Sequence, residues 1–146
     1  MFVSLMALSL AATSAPDWQI GAVGGQPGAE APYVVIVDFG SIIKTGTSVR
    51  FMTRLILQKP IGEVDNIVAS TTANCNTYTY RVLTSDLMAG ETRISTEKVS
   101  GRTEVATRPS SAHAYLERVC GDAPLDGRTL TDPYNEAKRF LNSKNR

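Results

Sequence analysis

His113 is the only histidine in the chain, so any reaction that needs an imidazole base has to use this residue. Hydrolases of the Ser-His-Asp or Cys-His type use a histidine to take the proton from their nucleophile. His113 follows Ala112, which falls on the apolar side of a predicted helix, and this places the imidazole on the polar side. The sequence therefore predicts a solvent-facing histidine and no catalytic residues.

Two further patterns resemble chemical sites only in part. Residues 21–25 contain the glycines of a nucleotide loop, but Pro27 and Pro32 follow them where a phosphate-binding helix would begin. Asp38 stands at the end of an apolar run, and no other carboxylate has a spacing that pairs it with Asp38 for acid–base chemistry. Asp38 is predicted to cap a turn through its own side chain. These patterns predict no enzyme activity and no cofactor.

Arginine and tyrosine side chains on the predicted strands form a candidate protein-binding surface, because both residue types are enriched in protein interfaces. The alternative is an ordinary solvated strand face. The candidate binding residues are Arg50, Arg54, Tyr78, Tyr80 and Arg81.

The overall charge argues against a nucleic-acid partner. The chain has 15 Lys and Arg against 14 Asp and Glu, and the two signs are interspersed, so no strong field attracts nucleic acid or an anionic membrane. A length of 146 residues with 42% hydrophobic residues suits one domain with its own core.

Residues 1–15 contain no charged side chain and form an apolar run that ends in small residues, which is typical of a signal peptide. A membrane span needs about 20 apolar residues, so no integral membrane segment is expected after cleavage. Cleavage is placed after Ala11 or Ala15, and Pro16 disfavours the second. The missing basic residue leaves open a start upstream of Met1, and the alternative is a buried N-terminal helix. A signal peptide predicts the periplasm, the cell surface or the extracellular space.

Cys75 and Cys120 are the only cysteines, and with one histidine they supply too few ligands for a metal site. An even number of cysteines behind an export signal is typical of a disulfide formed in an oxidising compartment. This bond would close a loop of about 45 residues and stabilise the fold by roughly 4 kcal/mol in the chain-entropy treatment. The alternative is two unpaired buried thiols.

Alternating and β-branched runs predict about six antiparallel strands. The run Tyr33–Val37 is expected to form a central strand that ends at residues 38–41, and the Gly- and Pro-rich residues 21–32 are expected to form a loop. One face of the strand 48–58 is apolar and the other is expected to be partly wet. The predicted strands are 17–20, 33–37, 48–58, 67–75 and 78–88, with edge pieces at 93–99 and 103–106.

Two helices follow the strands. Ser110 or Ser111 caps a predicted helix that ends at Cys120, whose thiol falls on the apolar side and is placed to meet Cys75 on an inward strand face. A second helix is predicted from Pro133 to about Asn142, outside the core. The predicted core contains Val35, Val37, Val49, Phe51, Leu55, Val82, Tyr115, Leu116 and Val119. The domain boundaries are 1–15 for the signal peptide, 16–121 for the α+β domain and 122–146 for a C-terminal extension.

Short motifs in this order resemble the surface-adhesin protein E family of Gram-negative bacteria over residues 17 to 121. The resemblance implies an antiparallel sheet with a C-terminal helix tethered by the Cys75–Cys120 disulfide. It also implies adhesin-type binding, since the namesake proteins bind host matrix and serum proteins. The matching motifs are Val35-Ile-Val-Asp38, Ser41-Ile42, Val49-Arg50, Asn74-Cys75, Tyr80-Arg-Val-Leu83, Gly90, Pro109-Ser110 and Leu116-Glu-Arg-Val-Cys120.

The predicted function is an exported, non-catalytic binding protein of the cell envelope with a protein partner. One alternative is a small periplasmic enzyme, which needs a carboxylate or His113 in a concave pocket with a perturbed pKa. Another is a carrier of an apolar small molecule, which needs a cavity of roughly several hundred Å³ between helix and sheet.

Overall fold

One antiparallel sheet built from successive hairpins forms the frame of the molecule. The computed structural model describes residues 15–25, 32–99, 101–125 and 127–143. Six strands lie side by side in chain order, and a short seventh strand pairs with the fifth. This confirms the predicted α+β class. Neither helix in the described ranges is long and apolar enough to cross a bilayer. The elements are β1 (Trp18–Gly24), β2 (Tyr33–Thr45), β3 (Ser48–Ile61), β4 (Val64–Asn74), β5 (Thr79–Ala89), β6 (Thr92–Lys98), β7 (Glu104–Val105), α1 (Ser111–Val119) and α2 (Pro133–Ser143).

The first two strands are longer than predicted because each continues through a register shift. β1 runs on to Gly24 past a shift that lies just after Ile20, so the expected loop does not begin at Gly21. β2 continues past a shift after Asp38 and ends only at Thr45. A β-bulge bends a strand without ending it, and glycine often marks one. The predicted ends of these two strands were therefore wrong.

Asp38 has the predicted turn-capping role inside this irregular part of β2. Its Oδ1 accepts the main-chain N–H of Gly40 at 3.0 Å, two residues further on. The same oxygen accepts the N–H of Asp17 at 2.7 Å and so fixes the entry to β1. The carboxylate is held by two main-chain donors and has a structural role.

The front face of the sheet, which we define by Val35, Val37, Val49 and Phe51, is covered by α1. Ser110 caps this helix, since its Oγ accepts the N–H of His113 at 3.1 Å. The helix buries its apolar side against this face, as predicted, through Tyr115, Leu116 and Val119.

Two residues predicted for this core, Leu55 and Val82, are only half-buried. Leu55 still packs against the front-face cluster. Val82 lies on β5, further from the helix, and α1 contacts chiefly β1 and β2. A nine-residue helix is only about 14 Å long, so it covers part of the sheet.

The disulfide between Cys75 and Cys120 is present, and the two Cα atoms lie 5.6 Å apart. Cys75 follows the end of β4, and Cys120 is the C-cap residue of α1. Both cysteines are partly buried against the front-face core. The bond therefore ties the end of the helix to the sheet, as the sequence predicted.

The back face of the sheet, which we define by Val34, Ile36 and Ile56, is covered by α2. Ala137 and Leu141 of this helix are fully or almost fully buried against it. The prediction of a terminal helix outside the core was wrong. The physical reason lies in β2, whose continuous apolar run is typical of a strand covered on both faces. The predicted partly wet face of β3 is present, since Arg50 is exposed on it while Ile56 is buried beneath α2.

A polar network fastens α2 to the edge of the hairpin between β3 and β4. The Tyr134 hydroxyl donates to Asp65 Oδ2, and Lys138 Nζ lies 3.5 Å from the same oxygen. Asp65 Oδ1 accepts the Gly90 N–H at 2.9 Å and Asn66 Nδ2 at 2.8 Å. One carboxylate thus joins the helix to β4 and to the turn between β5 and β6.

Acid is expected to weaken this network. Partial burial raises the pKa of the Asp65 carboxyl, but hydrogen bonds from Tyr134, Gly90 and Asn66 and the Lys138 charge outweigh it and lower the pKa from 3.8 to about 2. Because the folded-state pKa is the lower one, the stability contribution is present above about pH 4 and is lost as the pH falls through about 2. We expect the Asp65 carboxylate to contribute about 1–2 kcal/mol to the free energy of unfolding at neutral pH, after allowance for solvent screening.

Denaturant titrations of the wild type and Asp65→Asn measure this contribution. The variant should be less stable than the wild type at neutral pH, and the difference in free energy of unfolding should vanish as the pH falls through about 2. Glu63→Gln is the matched control, since this exposed carboxylate has no hydrogen bond to any described residue. A difference that stays constant with pH would contradict the assignment.

The two edges of the sheet are protected differently. At β1, the carbonyl of Trp18 accepts the Leu130 N–H at 2.7 Å, and the carbonyl of Ile20 accepts Arg118 Nη1 at 2.5 Å. At the opposite edge, all seven residues of β6 are exposed. Charged side chains and a register shift in β6 disfavour edge-to-edge pairing there.

Candidate binding surfaces

The five residues predicted to form one binding surface lie on two faces of the sheet. Arg50 pairs with Thr72, which in turn pairs with Arg81, so these three lie in one row on the back face. Tyr80 pairs with Ala73 and packs, with Tyr78, against the front-face core. Adjacent residues in a strand point to opposite faces. The tyrosines and the arginines therefore cannot contact one partner surface together.

Arg54 is buried and belongs to the contacts beneath α2. Its side chain is 9% exposed, Nε donates to Asn66 Oδ1 at 2.8 Å, and Nη2 donates to the Gly90 carbonyl at 3.1 Å. The guanidinium also lies 5.1 Å from the centre of the Tyr134 ring. Its predicted place on an exposed binding surface was wrong because α2 covers this part of the back face.

Tyr78 contacts both α1 and the residues that follow it. Its backbone has a φ of 53°, a left-handed conformation that is uncommon for a bulky residue. The hydroxyl donates to Asp122, and the ring stacks on His113 with 5.0 Å between ring centres. Burial, together with this hydrogen bond, raises the pKa of Tyr78 to about 12. These contacts give Tyr78 a structural role in holding the turn to the helix.

His113 is not the solvent-facing residue that the helix pattern predicted. Its side chain is 15% exposed, and Nδ1 lies 3.1 Å from Glu117 Oε1. The helix periodicity placed it correctly on the polar side, but the Tyr78 ring comes from a turn that is 35 residues earlier in the chain and covers it. No local sequence pattern reports such a contact.

Tyr80 is also engaged within the molecule. Its hydroxyl donates to Glu104 Oε2 on β7 at 2.8 Å. Burial, together with this hydrogen bond, raises the pKa of Tyr80 to about 12. Tyr80 and Glu104 are also partners in the pairing of β5 with β7, so this side-chain contact stabilises the short edge strand.

The part of the back face that α2 leaves uncovered carries three exposed cations. Arg50 and Arg81 lie two strands apart, which separates their main chains by about 10 Å. Lys98 on β6 pairs with Thr84 of β5 and adds the third charge. None of the three forms an ion pair with any described residue. We call this surface, made of Arg50, Thr72, Arg81, Thr84 and Lys98, the open back face.

The surface between these cations is polar and shallow. Thr72 lies between the two arginines, and Ser70 accepts a hydrogen bond from Arg50 Nε at 3.3 Å. A depression of about 330 Å³ borders Thr72 and Arg81. Sequence reasoning identified both arginines but missed Lys98. The turn at Ala89-Gly90 could have indicated it, because a hairpin there pairs β6 with β5 and brings residue 98 next to residue 84.

A groove of about 640 Å³ opens on the other side of the molecule, between the end of β1 and the first turns of α1. Residues 22–25 form its strand wall, and Ser111, Ala114 and Glu117 lie on its helix wall. A Cβ atom at Gly24 would stand 2.0 Å from the Tyr33 ring, so glycine lets this ring lie across the strand end. The Tyr33 hydroxyl then reaches Ser111 Oγ at 3.1 Å.

Charged groups meet at one end of the groove. Glu117 Oε1 lies 2.7 Å from Arg108 Nη2 and 3.1 Å from His113 Nδ1. In the ranges that the structure describes, no hydroxyl or thiol forms a hydrogen bond with the His113 imidazole. Nor does any cluster of three potential metal ligands occur there. The charged side chains of Arg108 and Glu117 can therefore form hydrogen bonds with a polar group of a ligand at this end of the groove.

No protein-family model matches the chain, and no curated protein matches it either.

Proposed function

We propose that this protein is an exported, non-catalytic binding protein of the cell envelope, of the kind that the surface-adhesin protein E family represents. Its partner is a protein that presents an acidic segment to the open back face. The observation that carries the proposal is the set of three exposed cations, Arg50, Arg81 and Lys98, none of which forms an ion pair with a described residue. They lie on paired strands, so the pairing sets the spacing of their main chains.

The charge distribution favours an acidic protein segment over nucleic acid. Nucleic-acid binding draws on many Lys and Arg contacts to phosphate, whereas the formal net charge of this chain is only +1. Three cations can bind a few carboxylates of a partner, and the threonine hydroxyls between them can donate to its main-chain carbonyl groups. Asp86 is the acidic neighbour on this face, and it already accepts Thr96 Oγ1 at 2.7 Å.

Export is supported by the disulfide, because such bonds persist in oxidising compartments. The predicted signal peptide falls on residues 1–15, and residues 1–14 lie outside the described part of the chain. The non-catalytic interpretation is supported by the Tyr78 ring, which stacks on the His113 imidazole and leaves the His113 side chain only 15% exposed.

Charge reversal of the open back face tests the proposal. The tagged protein is used to capture proteins from envelope extract and from host serum, and the affinity of each captured protein is then measured with purified components. The variant Arg50→Glu, Arg81→Glu, Lys98→Glu should bind the partner at least about tenfold more weakly, because exposed charges each contribute up to roughly 1 kcal/mol. Added salt should weaken wild-type binding in the same direction.

The matched control reverses three exposed charges elsewhere, in Lys59→Glu, Arg102→Glu, Arg139→Glu, and has the same net charge. It should bind like the wild type. Equal loss in both triple variants, or full binding by the back-face variant, would reject the open back face as the site. Preferential capture of nucleic acid would reject a protein partner.

A further inference from the structure

The groove between β1 and α1 has features of a site for an extended peptide. One wall is a strand and the other is a helix, and both belong to elements that the sheet pairing and the disulfide hold in place. From this geometry we propose that an extended peptide segment of a partner binds there by adding as a strand to the outer edge of β1. Strand addition of this kind uses main-chain hydrogen bonds for affinity and side-chain pockets for specificity.

The outer edge of β1 is hydrogen-bonded in its first half, whereas its second half has no such partner among the described residues, and we call this second half the open half. Trp18 and Ile20 use their carbonyl groups to accept Leu130 and Arg118. Residues 22–24 pair with β2 on their inner side, and no described residue forms a hydrogen bond with them on their outer side. The open half is the half that forms the strand wall of the groove. An edge with free main-chain groups is matched by the main chain of another extended segment.

The size of the groove agrees with a short peptide. Residues 22–25, the last three residues of β1 and the one that follows, span about 13 Å, and the volume of about 640 Å³ lies within the usual range for ligand sites. Ala114 and Ser111 on the helix wall are small, which leaves room beside the strand for peptide side chains. Val23 is 45% exposed at the same edge and pairs with Val34, so its side chain lies on the back face and offers an apolar contact to the side chains that an added strand presents there.

The charged end of the groove indicates which kind of peptide residue would bind there. Arg108 is 78% exposed and uses Nη2 for Glu117, so its other donors point to solvent at the groove mouth. Glu117 is shared with His113. An acidic side chain near one end of the peptide would meet the free donors of Arg108. The ligand class is therefore an extended segment of about four residues with an acidic residue at the Arg108 end.

This site is separate from the open back face, so it stands or falls independently of the proposed function. A phage-displayed library of random heptapeptides is panned on the folded protein, and the enriched peptides are synthesised. Binding should slow amide hydrogen exchange at the outward-facing N–H groups of residues 22–25, since the added strand would form hydrogen bonds with these groups. Ala114→Trp fills the groove from an exposed helix position and should weaken binding at least about tenfold.

Asn142→Trp is the matched control, because it adds the same side chain at an exposed position of α2 that does not line the groove. It should bind like the wild type. Circular dichroism and denaturant unfolding establish that both variants fold. Panning that yields no binder, binders that Ala114→Trp leaves unaffected, or binders that protect β6 in place of β1 would each overturn the proposal.

Discussion

Replacing Cys75 and Cys120 together with Ser lowers the free energy of unfolding by about 2–5 kcal/mol, because the chain then loses the link that closes 45 residues. The Cα separation of 5.6 Å lies within the range of about 4.4 to 6.8 Å that unstrained disulfides show. The chain-entropy treatment gives roughly 4 kcal/mol for a loop of this length. The measurement is the denaturant midpoint of the oxidised wild type, the reduced wild type and the double variant.

Reductant should lower the wild-type midpoint to that of the double variant and leave the variant unchanged. The loss should appear first in α1, whose amide hydrogen exchange should accelerate before that of β3, since the bond joins the end of this helix to the end of β4. The bond would be refuted by a purified native protein that reacts with two equivalents of a thiol reagent without denaturant.

Leu141→Ala should lower the free energy of unfolding by about 2–5 kcal/mol, which is the usual cost of emptying a buried leucine site. Leu141 is 2% exposed and packs with Ala137 against Val34, Ile36 and Ile56. The back face of β2 and β3 has no other helix to cover it among the described residues. Urea titration followed by circular dichroism measures the change.

The neighbouring Asn142→Ala is the matched control, since this side chain is exposed on the same helix. It should change the stability by less than about 0.5 kcal/mol. If Leu141→Ala were equally neutral, α2 would not be part of the cooperative fold. Such a result would restore the first interpretation of this helix as an extension outside the core.

The local features of this protein were predictable because short-range patterns determine them. Ser110 caps α1 as expected, since a serine before an apolar periodic run satisfies the first free N–H groups of a helix. Leu116 and Val119 are buried as their helical spacing required. The pairing of Cys75 with Cys120 followed from an inward strand face and an apolar helix side.

The candidate binding surface was only half predictable. Arg50 and Arg81 were identified by residue type, and strand pairing places them in one row. Arg54 shares their face but lies beneath Tyr134, a residue 80 positions later in the chain. Period-two alternation gives the relative direction of two side chains in one strand, but it does not report which parts of a face another element will cover.

Taken alone, the sequence determined the class of fold, the two helices, the cysteine pair and the residues with the chemistry of an interface. Periodicity, capping and β-propensity act over a few residues, so they can be read along the chain. The tertiary structure decided the register shifts after Ile20 and Asp38, the burial of Arg54 and the stacking of His113 on Tyr78. It also decided that β1 ends beside α1 in a groove. These features depend on contacts between residues far apart in the chain, whose energies no local pattern contains.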